Sequence, residues 1–409
     1  MTTIRQIVLF ILNHYRMLYR RFGRTELQMP VFSCGGMRYQ HSWQDVSPAD
    51  IPQKNQENLE ATIHRAVELG INHIETARGY GTSEIQLGKV LPQFERDRLI
   101  VQTKVSPKPN PQDFLETVET SLDNLNLDYI DLLGFHGINN ADTLEYSIRP
   151  GGCVDVARKL QAEGRVRHIG FSTHGPTQII VDAIESNLFD YVNVHWYYIF
   201  QDNWRAIEAA TERDMGVFII SPSDKGGHLY SPPPRLVELC QPLSPMVFND
   251  LFCLSCPQVH TLSLGAAQPS DFEEHLKVLP LIEQADEILP PILGRLEARA
   301  IATLGESWYR TWQKGLPDIQ STPGNVNIAI ALWLGNLVAA FDMTDYAVAR
   351  YNLLGGASHW FPGNKADQLN QLDLSESLQN SPHAETIPTR LAKIHEMLGG
   401  KNLKRLSQQ

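Results

Sequence analysis

The sequence contains few cysteines, and no stretch of it is strongly basic or long and apolar. Five scattered cysteines in 409 residues are too few for a disulfide scaffold, so a reducing, cytoplasmic compartment is expected. The formal net charge of -11 is spread along the chain, which argues against nucleic acid as a partner. The apolar run from Ile7 to Leu12 is far too short to span a membrane, so no integral membrane segment is predicted.

Two short features are not expected to carry chemistry. Residues 1–16 precede Met17, where a pattern typical of a domain begins, and we interpret them as an N-terminal extension. An amphipathic surface anchor is the alternative for this extension. The one close cysteine pair, Cys253 and Cys256, has no second pair or histidine cluster to complete a four-ligand set. Buried thiols are therefore predicted there, with a redox dithiol or half of a metal site as the alternative.

The sequence also lacks a G-x-G-x-x-G motif after a first strand, so a Rossmann-type dinucleotide site is not indicated. From Phe32 onward, short apolar runs alternate with amphipathic helical patterns in eight β-then-α units. This number of units predicts an α/β protein with a (β/α)8 TIM barrel over residues 17–280, because an open doubly wound sheet rarely contains so many. The predicted strands are Phe32–Met37, Ile71–Ala77, Leu99–Val105, Tyr129–Phe135, Val166–Thr173, Tyr191–Tyr197, Gly216–Pro222 and His260–Ala266.

After the barrel, residues 281–409 are predicted to form a helical C-terminal region. The alternation of strands and helices stops, and helical patterns follow one another without an internal repeat. Pro290-Pro291 is expected to separate two of the helices. The predicted helices are Ile282–Leu289, Arg295–Thr303, Val326–Leu337, Asp342–Leu353 and Thr389–Leu398.

Four polar side chains fall at the carboxyl ends of consecutive predicted strands. The second strand ends at Glu75 with Tyr80 one turn later, the third ends at Lys104, and the fourth ends at His136. Neighbouring parallel strands lie about 4.8 Å apart, so these groups are expected to meet at one mouth of the barrel. A rim position or a cap is the ordinary role of each residue taken singly, but four on consecutive strand ends favour an active site.

The chemistry of this set centres on the phenol. Free phenols ionise near pH 10 and are poor proton donors at neutral pH. A lysine ammonium lowers the pKa of a neighbouring phenol, and a carboxylate holds the lysine in place. Tyr80 is therefore the predicted acid, with Lys104 as its tuner and Glu75 as the partner of Lys104. His136 is predicted to donate a hydrogen bond to a substrate carbonyl oxygen.

These motifs resemble the aldo-keto reductases, which are NAD(P)H-dependent barrels. ETARGYGTSE is similar to the strand–turn motif of that family, QTKV to its lysine strand, and LLGFHG to its histidine strand. The resemblance covers roughly Tyr19 to Pro280. The family usually carries aspartate where this chain has Glu75, and the additional methylene adds about 1.5 Å of reach. The contact with Lys104 therefore requires the backbone or the rotamer to adjust.

The same resemblance implies a nicotinamide cofactor, NADP(H) with NAD(H) as the alternative. Ser172, Thr173 and Asn193 correspond to contacts of the carboxamide, and Trp196 to an aromatic ring that stacks on the nicotinamide. A buried core indole is the alternative for Trp196. The loop FIISPSDKGG resembles the segment over the pyrophosphate, and SLGAAQPSDFEEHL the segment near the adenosine. Many relatives have arginine where Gln268 stands, which reduces the expected advantage of NADPH. The implied contacts from these two segments are Ser221, Asp224, Lys225, Gly226, Gly265, Ala267, Gln268 and His275.

The C-terminal region resembles a bacterial subgroup of this family that carries a ferredoxin-like segment. SHWFPGNKAD is similar to the sequence that precedes C-x2-C-x2-C-x3-C-P in that subgroup. The four ligand positions would be Gln371, Leu374, Ser377 and Ser381, and none is a cysteine. Because iron–sulfur clusters need thiolate ligands in that arrangement, the region is predicted to be a remnant without a cluster.

The resemblance implies a carbonyl reductase that converts an aldehyde or ketone to an alcohol, with Tyr80 as the proton donor. The alternative is a catalytically weak, NADP(H)-binding regulatory or interaction protein on the same barrel, since a fold alone does not specify catalysis. A small carbonyl compound is the expected partner in the first case. The sequence specifies neither this substrate nor the oligomeric state.

Overall fold

The computed structural model describes residues 16–356 and 360–401. All but the last residue of the predicted N-terminal extension, and the Ser-His pair that opens SHWFPGNKAD, lie outside the described residues. The chain divides into two compact units, which are considered separately. The first comprises the chain up to Gly226 together with Met246–Ala285, and the second comprises Gly227–Pro245 together with the chain from Asp286 onward.

The first unit is a closed barrel of eight parallel strands, which confirms the predicted fold. Each strand pairs with the next along the chain, and the last pairs with the first. All eight predicted strands are present. The third ends where predicted, the fourth ends one residue later, and the other six end one to three residues earlier. They are β3 (Phe32–Gly35), β4 (His73–Glu75), β5 (Ile100–Val105), β6 (Ile130–His136), β7 (Val166–Ser172), β8 (Tyr191–Val194), β9 (Gly216–Ile219) and β10 (Thr261–Leu264).

Helices follow the strands on the outside of the barrel, as the amphipathic patterns predict. Their buried residues recur at helical spacing, for example Phe114, Val118, Leu122 and Leu125 in one helix, which gives each helix an apolar face for the strands. The helices of this unit are α1 (Gln53–Glu68), α2 (Ser83–Val90), α3 (Pro111–Leu125), α4 (Ala141–Ile148), α5 (Cys153–Ala162), α6 (Thr177–Glu185) and α7 (Trp204–Glu212).

A two-stranded antiparallel hairpin precedes the barrel and was not predicted. It consists of β1 (Tyr19–Arg21) and β2 (Gln28–Pro30). Phe22, between these strands, is fully buried and packs on the Tyr191 ring with centroids 5.7 Å apart. The hairpin therefore covers the amino-terminal end of the barrel with apolar side chains. Strands of three residues carry too little alternation to be recognised from sequence.

The interior of the barrel contains hydrogen-bonded polar side chains. Ser33 Oγ lies 2.6 Å from His73 Nδ1 and 2.7 Å from Thr261 Oγ1. Tyr191 fills the space beside Gly170, where a Cβ atom would lie 2.4 Å from the tyrosine ring. All of these residues are fully buried, so Ser33 Oγ, Thr261 Oγ1 and His73 Nδ1 are satisfied by one another and not by solvent.

The second unit is helical, and residues 227–245 belong to it. This division differs from the predicted boundary at 280, because the segment after β9 contacts later helices. Arg235 Nε donates to Asp342 Oδ2 at 2.6 Å, and Arg295 Nε donates to the Leu239 carbonyl at 3.1 Å. The next three helices along the chain are α8 (Pro234–Cys240), α9 (Pro245–Leu254) and α10 (Phe272–Leu276). Of these, α10 and all but the first residue of α9 lie in the first unit. The helices that follow are α11 (Ala285–Leu304), α12 (Glu306–Thr311), α13 (Ile328–Phe341), α14 (Thr344–Tyr351), α15 (Ser375–Leu378) and α16 (Ile387–Leu398).

The prediction that Pro290-Pro291 separates two helices is wrong. Both prolines lie inside the single helix α11. Leu289, Ile292 and Leu296 on this helix are at most 7% exposed. Burial of this apolar stripe offsets the hydrogen bonds that the two prolines cannot donate. Within the described residues, no helix combines the length and the apolar character needed to cross a bilayer.

Candidate active site

The end of β4 and the turn after it place the predicted acid and its neighbours. Glu75 is the last residue of β4, and Tyr80 follows in a turn closed by its N–H on the Ala77 carbonyl at 2.9 Å. Gly81 adopts a φ of +54°, and a Cβ atom there would lie 2.0 Å from the Ser42 carbonyl oxygen. Only glycine fits at this position. The tight turn therefore fixes the direction in which Tyr80 leaves the strand.

Lys104 is buried and ion-paired with Glu75, as predicted. The Lys104 side chain is 2% exposed and the Glu75 side chain 5%. Lys104 Nζ donates to a Glu75 carboxylate oxygen and, at 2.5 Å, to the Thr76 carbonyl. Burial on its own lowers the pKa of Lys104, but Glu75 and Tyr80 outweigh it, so the pKa lies above its usual value. Lys104 is thus an ammonium at neutral pH.

The Tyr80 ring is half-buried between three neighbours. Lys104 Nζ lies 4.9 Å from the ring centroid, and the Trp43 and His136 rings meet it edge-on at 6.1 and 5.7 Å. Burial raises the pKa of Tyr80 above its usual value. Lys104 lowers this pKa, as predicted, but by less than burial raises it. The sign of the Lys104 effect therefore agrees with the sequence analysis, but burial exceeds it and the phenol keeps its proton.

His136 closes β6 and is neutral at physiological pH. Burial, followed by the ammonium groups of Lys104 and Lys225, lowers the pKa of His136 to about 3. A neutral imidazole carries one N–H donor and one acceptor nitrogen. His136 can therefore orient a carbonyl oxygen by a hydrogen bond, and it does not compete with Tyr80 as a cationic acid.

The predicted carboxamide contacts form a row beside His136. Ser172 pairs in register with His136 on one side and with Asn193 on the other. Both side-chain amide atoms of Asn193 are buried and have no hydrogen-bond partner among the described residues. Thr173 Oγ1 donates to the Ile138 carbonyl at 2.8 Å, so its hydroxyl proton is already used. Buried polar atoms are usually paired, so Asn193 fits a ligand that brings a donor and an acceptor.

Trp196 lies in an aromatic cluster of the barrel wall. Its ring is 4% exposed and stacks on Phe252 with centroids 4.9 Å apart and planes inclined by 22°. Trp204 contacts it at 5.2 Å. The indole Nε1 has no hydrogen-bond partner among the described residues. These contacts favour the core role of Trp196, and the stacking role stays a prediction.

The loop after β9 brings Lys225 to the barrel mouth. A Cβ atom at Gly226 would lie 2.0 Å from the Pro222 carbonyl oxygen, so the turn is tight. Ser221 and Asp224 are partly exposed in the same turn. Lys225 Nζ lies 3.1 Å from His174 Nδ1 and 3.2 Å from His195 Nε2. The ammonium therefore faces the strand ends, whereas the resemblance implied a contact of Lys225 with the pyrophosphate.

The predicted adenosine segment follows β10. Gly265 and Ala267 are partly exposed, and Gln268 is exposed. The Ala267 N–H donates to Asp271 Oδ2 at 2.8 Å. His275 is buried, with Nδ1 2.5 Å from Asp250 Oδ2, so one of its ring nitrogens is already occupied.

Sequence reasoning missed two residues that contact the predicted site. Ser263 Oγ on β10 donates to Glu75 Oε1 at 2.8 Å. Arg38 Nη1 donates to the Gly265 carbonyl at 2.6 Å and lies 3.6 Å from Asp271 Oδ2. A signal for Ser263 exists in hindsight, since it is a polar residue on an otherwise apolar strand end.

The predicted remnant in the second unit contains no candidate ligand set. Leu374 is buried, and Ser377 Oγ donates to the Ser321 carbonyl at 3.1 Å. Ser381 Oγ accepts the His383 N–H at 3.2 Å, and Gln371 ends a short 3-10 helix. Across the described ranges, no three His, Cys, Asp or Glu side chains are grouped so as to hold a metal ion. The absence of a cluster stays a prediction.

Comparisons with known proteins agree with this architecture. L-galactose dehydrogenase of Arabidopsis thaliana is 31% identical over 175 residues, which are 40% of this chain and 54% of that protein. The chain spans about half the length of the curated relatives it matches.

Two solved structures share the fold. The holo form of aldo-keto reductase AKR11C1 from Bacillus halodurans has a TM-score of 0.57 and 21% identity, and the match covers 68% of this chain and 96% of that one. An aldo-keto reductase from Klebsiella pneumoniae in complex with NADPH has a TM-score of 0.53 and 18% identity, with coverage of 68% and 96%. Residues 32–227 match the sequence model of the Aldo/keto reductase family, so this part of the barrel is similar to that family in sequence as well as in fold.

Proposed function

We propose that this protein is an NADP(H)-dependent oxidoreductase that reduces the carbonyl group of a small aldehyde or ketone to an alcohol. The observation that carries the proposal is the contact of a buried, Glu75-paired Lys104 ammonium with the Tyr80 ring. A neutral phenol beside an ammonium is a proton donor whose conjugate base is stabilised as it forms. The similarity to the Aldo/keto reductase family supports the same reaction class.

Each side chain at the barrel mouth has its own role in the proposed reaction. Tyr80 Oη delivers its proton to the carbonyl oxygen, and Lys104 stabilises the phenolate that results. Glu75 keeps Lys104 charged, because a buried ammonium without a counter-charge would lose its proton. His136, whose pKa of about 3 keeps it neutral, donates a hydrogen bond that orients the carbonyl group.

The cofactor would be held by the row at the ends of β7 and β8. The unpartnered amide of Asn193 matches the carboxamide of a nicotinamide, which offers one donor group and one acceptor. Ser172 lies in register beside it. When bound, the reduced nicotinamide supplies the hydride for the carbonyl carbon. The structure from Klebsiella pneumoniae with the same fold holds NADPH, which supports the choice of NADPH over NADH.

The Tyr80→Phe variant tests the proton donor. It removes one oxygen and preserves the ring that packs on Trp43 and His136, so the fold and the cofactor site are expected to stay intact. Turnover of small aldehydes, ketones or quinones, followed by NADPH consumption, should fall by at least about 100-fold, the usual contribution of a general acid. Fluorescence titration should give the same NADPH affinity as the wild type. Unchanged turnover would remove Tyr80 from the mechanism.

One observation favours the second candidate, a cofactor-binding regulatory or interaction protein with weak catalysis. Burial holds the pKa of Tyr80 above its usual value despite Lys104, which makes the phenol a weaker acid than a solvent-exposed tyrosine. The two candidates differ in the response to Glu75→Asp. A large gain in turnover at constant cofactor affinity would show that the glutamate had compromised catalysis and would favour the second candidate.

A further inference from the structure

Glu75 reaches across a neighbouring strand. Its Oε1 atom accepts the 2.8 Å hydrogen bond from Ser263 on β10, and its other carboxylate oxygen accepts from Lys104 on β5. In the barrel, β3 lies between β10 and β4. One carboxylate therefore joins groups on both sides of its own strand, and the contact with Ser263 passes over β3.

Gly35 on β3 leaves the space for this crossing. It is the Cα partner of Glu75 in the β3–β4 ladder. A Cβ atom at Gly35 would lie 2.8 Å from Ser263 Oγ and 3.0 Å from Glu75 Oε1. Side-chain carbons do not tolerate such distances from two oxygens. The missing side chain at Gly35 thus leaves space for the hydrogen bond between the two groups.

The crossing depends on the length of the glutamate. An aspartate at the same backbone position ends one C–C bond, about 1.5 Å, earlier. Such a shortening takes a 2.8 Å contact beyond hydrogen-bond range. Glu75 is 4% exposed and Ser263 7%, so water has little access to replace the serine hydroxyl, and a buried carboxylate oxygen needs a donor.

We propose that Ser263 is a positioning residue that holds the Glu75 carboxylate on Lys104 through the gap at Gly35, and so adapts this active site to a glutamate. The kinetic consequence rests on the proposed function, whereas the positioning itself does not. Lys104 contacts Tyr80, so a displaced Glu75 carboxylate affects the phenol through the lysine. Ser263 acts through Glu75 and has no contact with the reacting atoms.

A double-mutant cycle of Ser263→Ala and Glu75→Asp tests the proposal in the full-length chain. In the Glu75 background, Ser263→Ala should lower kcat by about tenfold, the loss expected for one hydrogen bond to a charged group. In the Glu75→Asp background the same change should alter kcat by less than about twofold, because the aspartate does not reach the serine. NADPH affinity from fluorescence titration should stay within about twofold in all four proteins. Ser263→Cys, with similar volume and a weaker donor, should lose less activity than Ser263→Ala.

Ser33→Ala is the matched control. It removes another buried serine hydroxyl from the barrel interior, one that bonds His73 and Thr261, and it should lower stability without coupling to residue 75. Equal effects of Ser263→Ala in both backgrounds, or no effect in either, would overturn the proposal.

A second measurement does not require turnover. The ionisation of Tyr80 is followed by ultraviolet difference spectra against matching Tyr80→Phe proteins. Ser263→Ala should shift the Tyr80 pKa when residue 75 is glutamate and leave it unchanged when residue 75 is aspartate. Should no carbonyl substrate be reduced by any variant, the proposed function fails while this titration still decides the role of Ser263. If Ser263→Ala leaves the Tyr80 pKa unchanged in both backgrounds, the positioning role of Ser263 is refuted.

Discussion

Replacing Glu75 by glutamine is expected to destabilise the barrel much more than removing an exposed acidic partner. The amide leaves the Lys104 ammonium, 2% exposed, without its counter-charge. Breaking a buried ion pair by removing one partner costs about 3–5 kcal/mol. Releasing the proton from an amine of ordinary pKa 10.5 at pH 7 costs about 4.8 kcal/mol, which sets the upper bound. The Thr76 carbonyl still accepts from Lys104, so we expect a loss of about 3 kcal/mol.

Urea denaturation followed by circular dichroism measures this loss. Glu119→Gln is the matched control, because Glu119 pairs with Arg165 at 3.3 Å with the carboxylate side chain 46% exposed, and exposed pairs contribute about 0–1 kcal/mol. The difference between the two variants should shrink as the pH rises above 7, since a neutral Lys104 becomes less costly. A Glu75→Gln loss below about 1 kcal/mol, or one equal to that of Glu119→Gln, would refute the view that the buried pair is a single electrostatic unit.

Three further predictions concern other parts of the barrel. Asn193→Leu should raise the free energy of unfolding by about 1 kcal/mol, because it removes two unpaired buried atoms. It should also weaken NADPH binding, measured by fluorescence titration, at least about tenfold. Unchanged NADPH affinity would show that Asn193 does not contact the cofactor. Burial lowers the pKa of His73 from 6.5 to about 3, so stability present above pH 6.5 should be lost towards pH 3 by about 1.4 kcal/mol per pH unit, and His73→Asn should flatten this dependence in urea titrations. Arg38→Gln should weaken NADPH binding more than NADH binding, since it removes a cation from the Gly265 segment; equal losses in the two titrations would contradict this role.

The parts of the fold that sequence specified are those with a regular period. Eight apolar runs alternating with amphipathic helical patterns were enough to predict the closed barrel, because the strands are largely buried on both faces and the helices on one. The hairpin over the amino-terminal end was missed, since three-residue strands have no measurable period. The helix through Pro290-Pro291 was missed for another reason, because local backbone preference was outweighed by burial of Leu289 and Ile292.

The strand-end positions of the candidate site were predictable from the sequence, whereas the contacts between residues far apart in sequence were not. Strand-end position was sufficient to group Glu75, Lys104 and His136, because carboxyl ends of parallel strands share one mouth. The contact of Ser263 with Glu75 joins residues far apart in sequence. It also depends on the missing side chain at Gly35, and no local sequence pattern predicts that the space there is used. The net pKa of Tyr80 was equally out of reach, since it depends on the balance between burial and charge.

The tyrosine that occupies the centre of the barrel restricts how this chain can diverge. The Tyr191 ring takes the volume that side chains on β6 and β7 would otherwise fill, with only 2.4 Å left for a carbon on residue 170. In related sequences, residues 170 and 191 are therefore expected to change together. A smaller residue at 191 should accompany a larger side chain at 170, and glycine should stand at 170 wherever tyrosine is kept at 191.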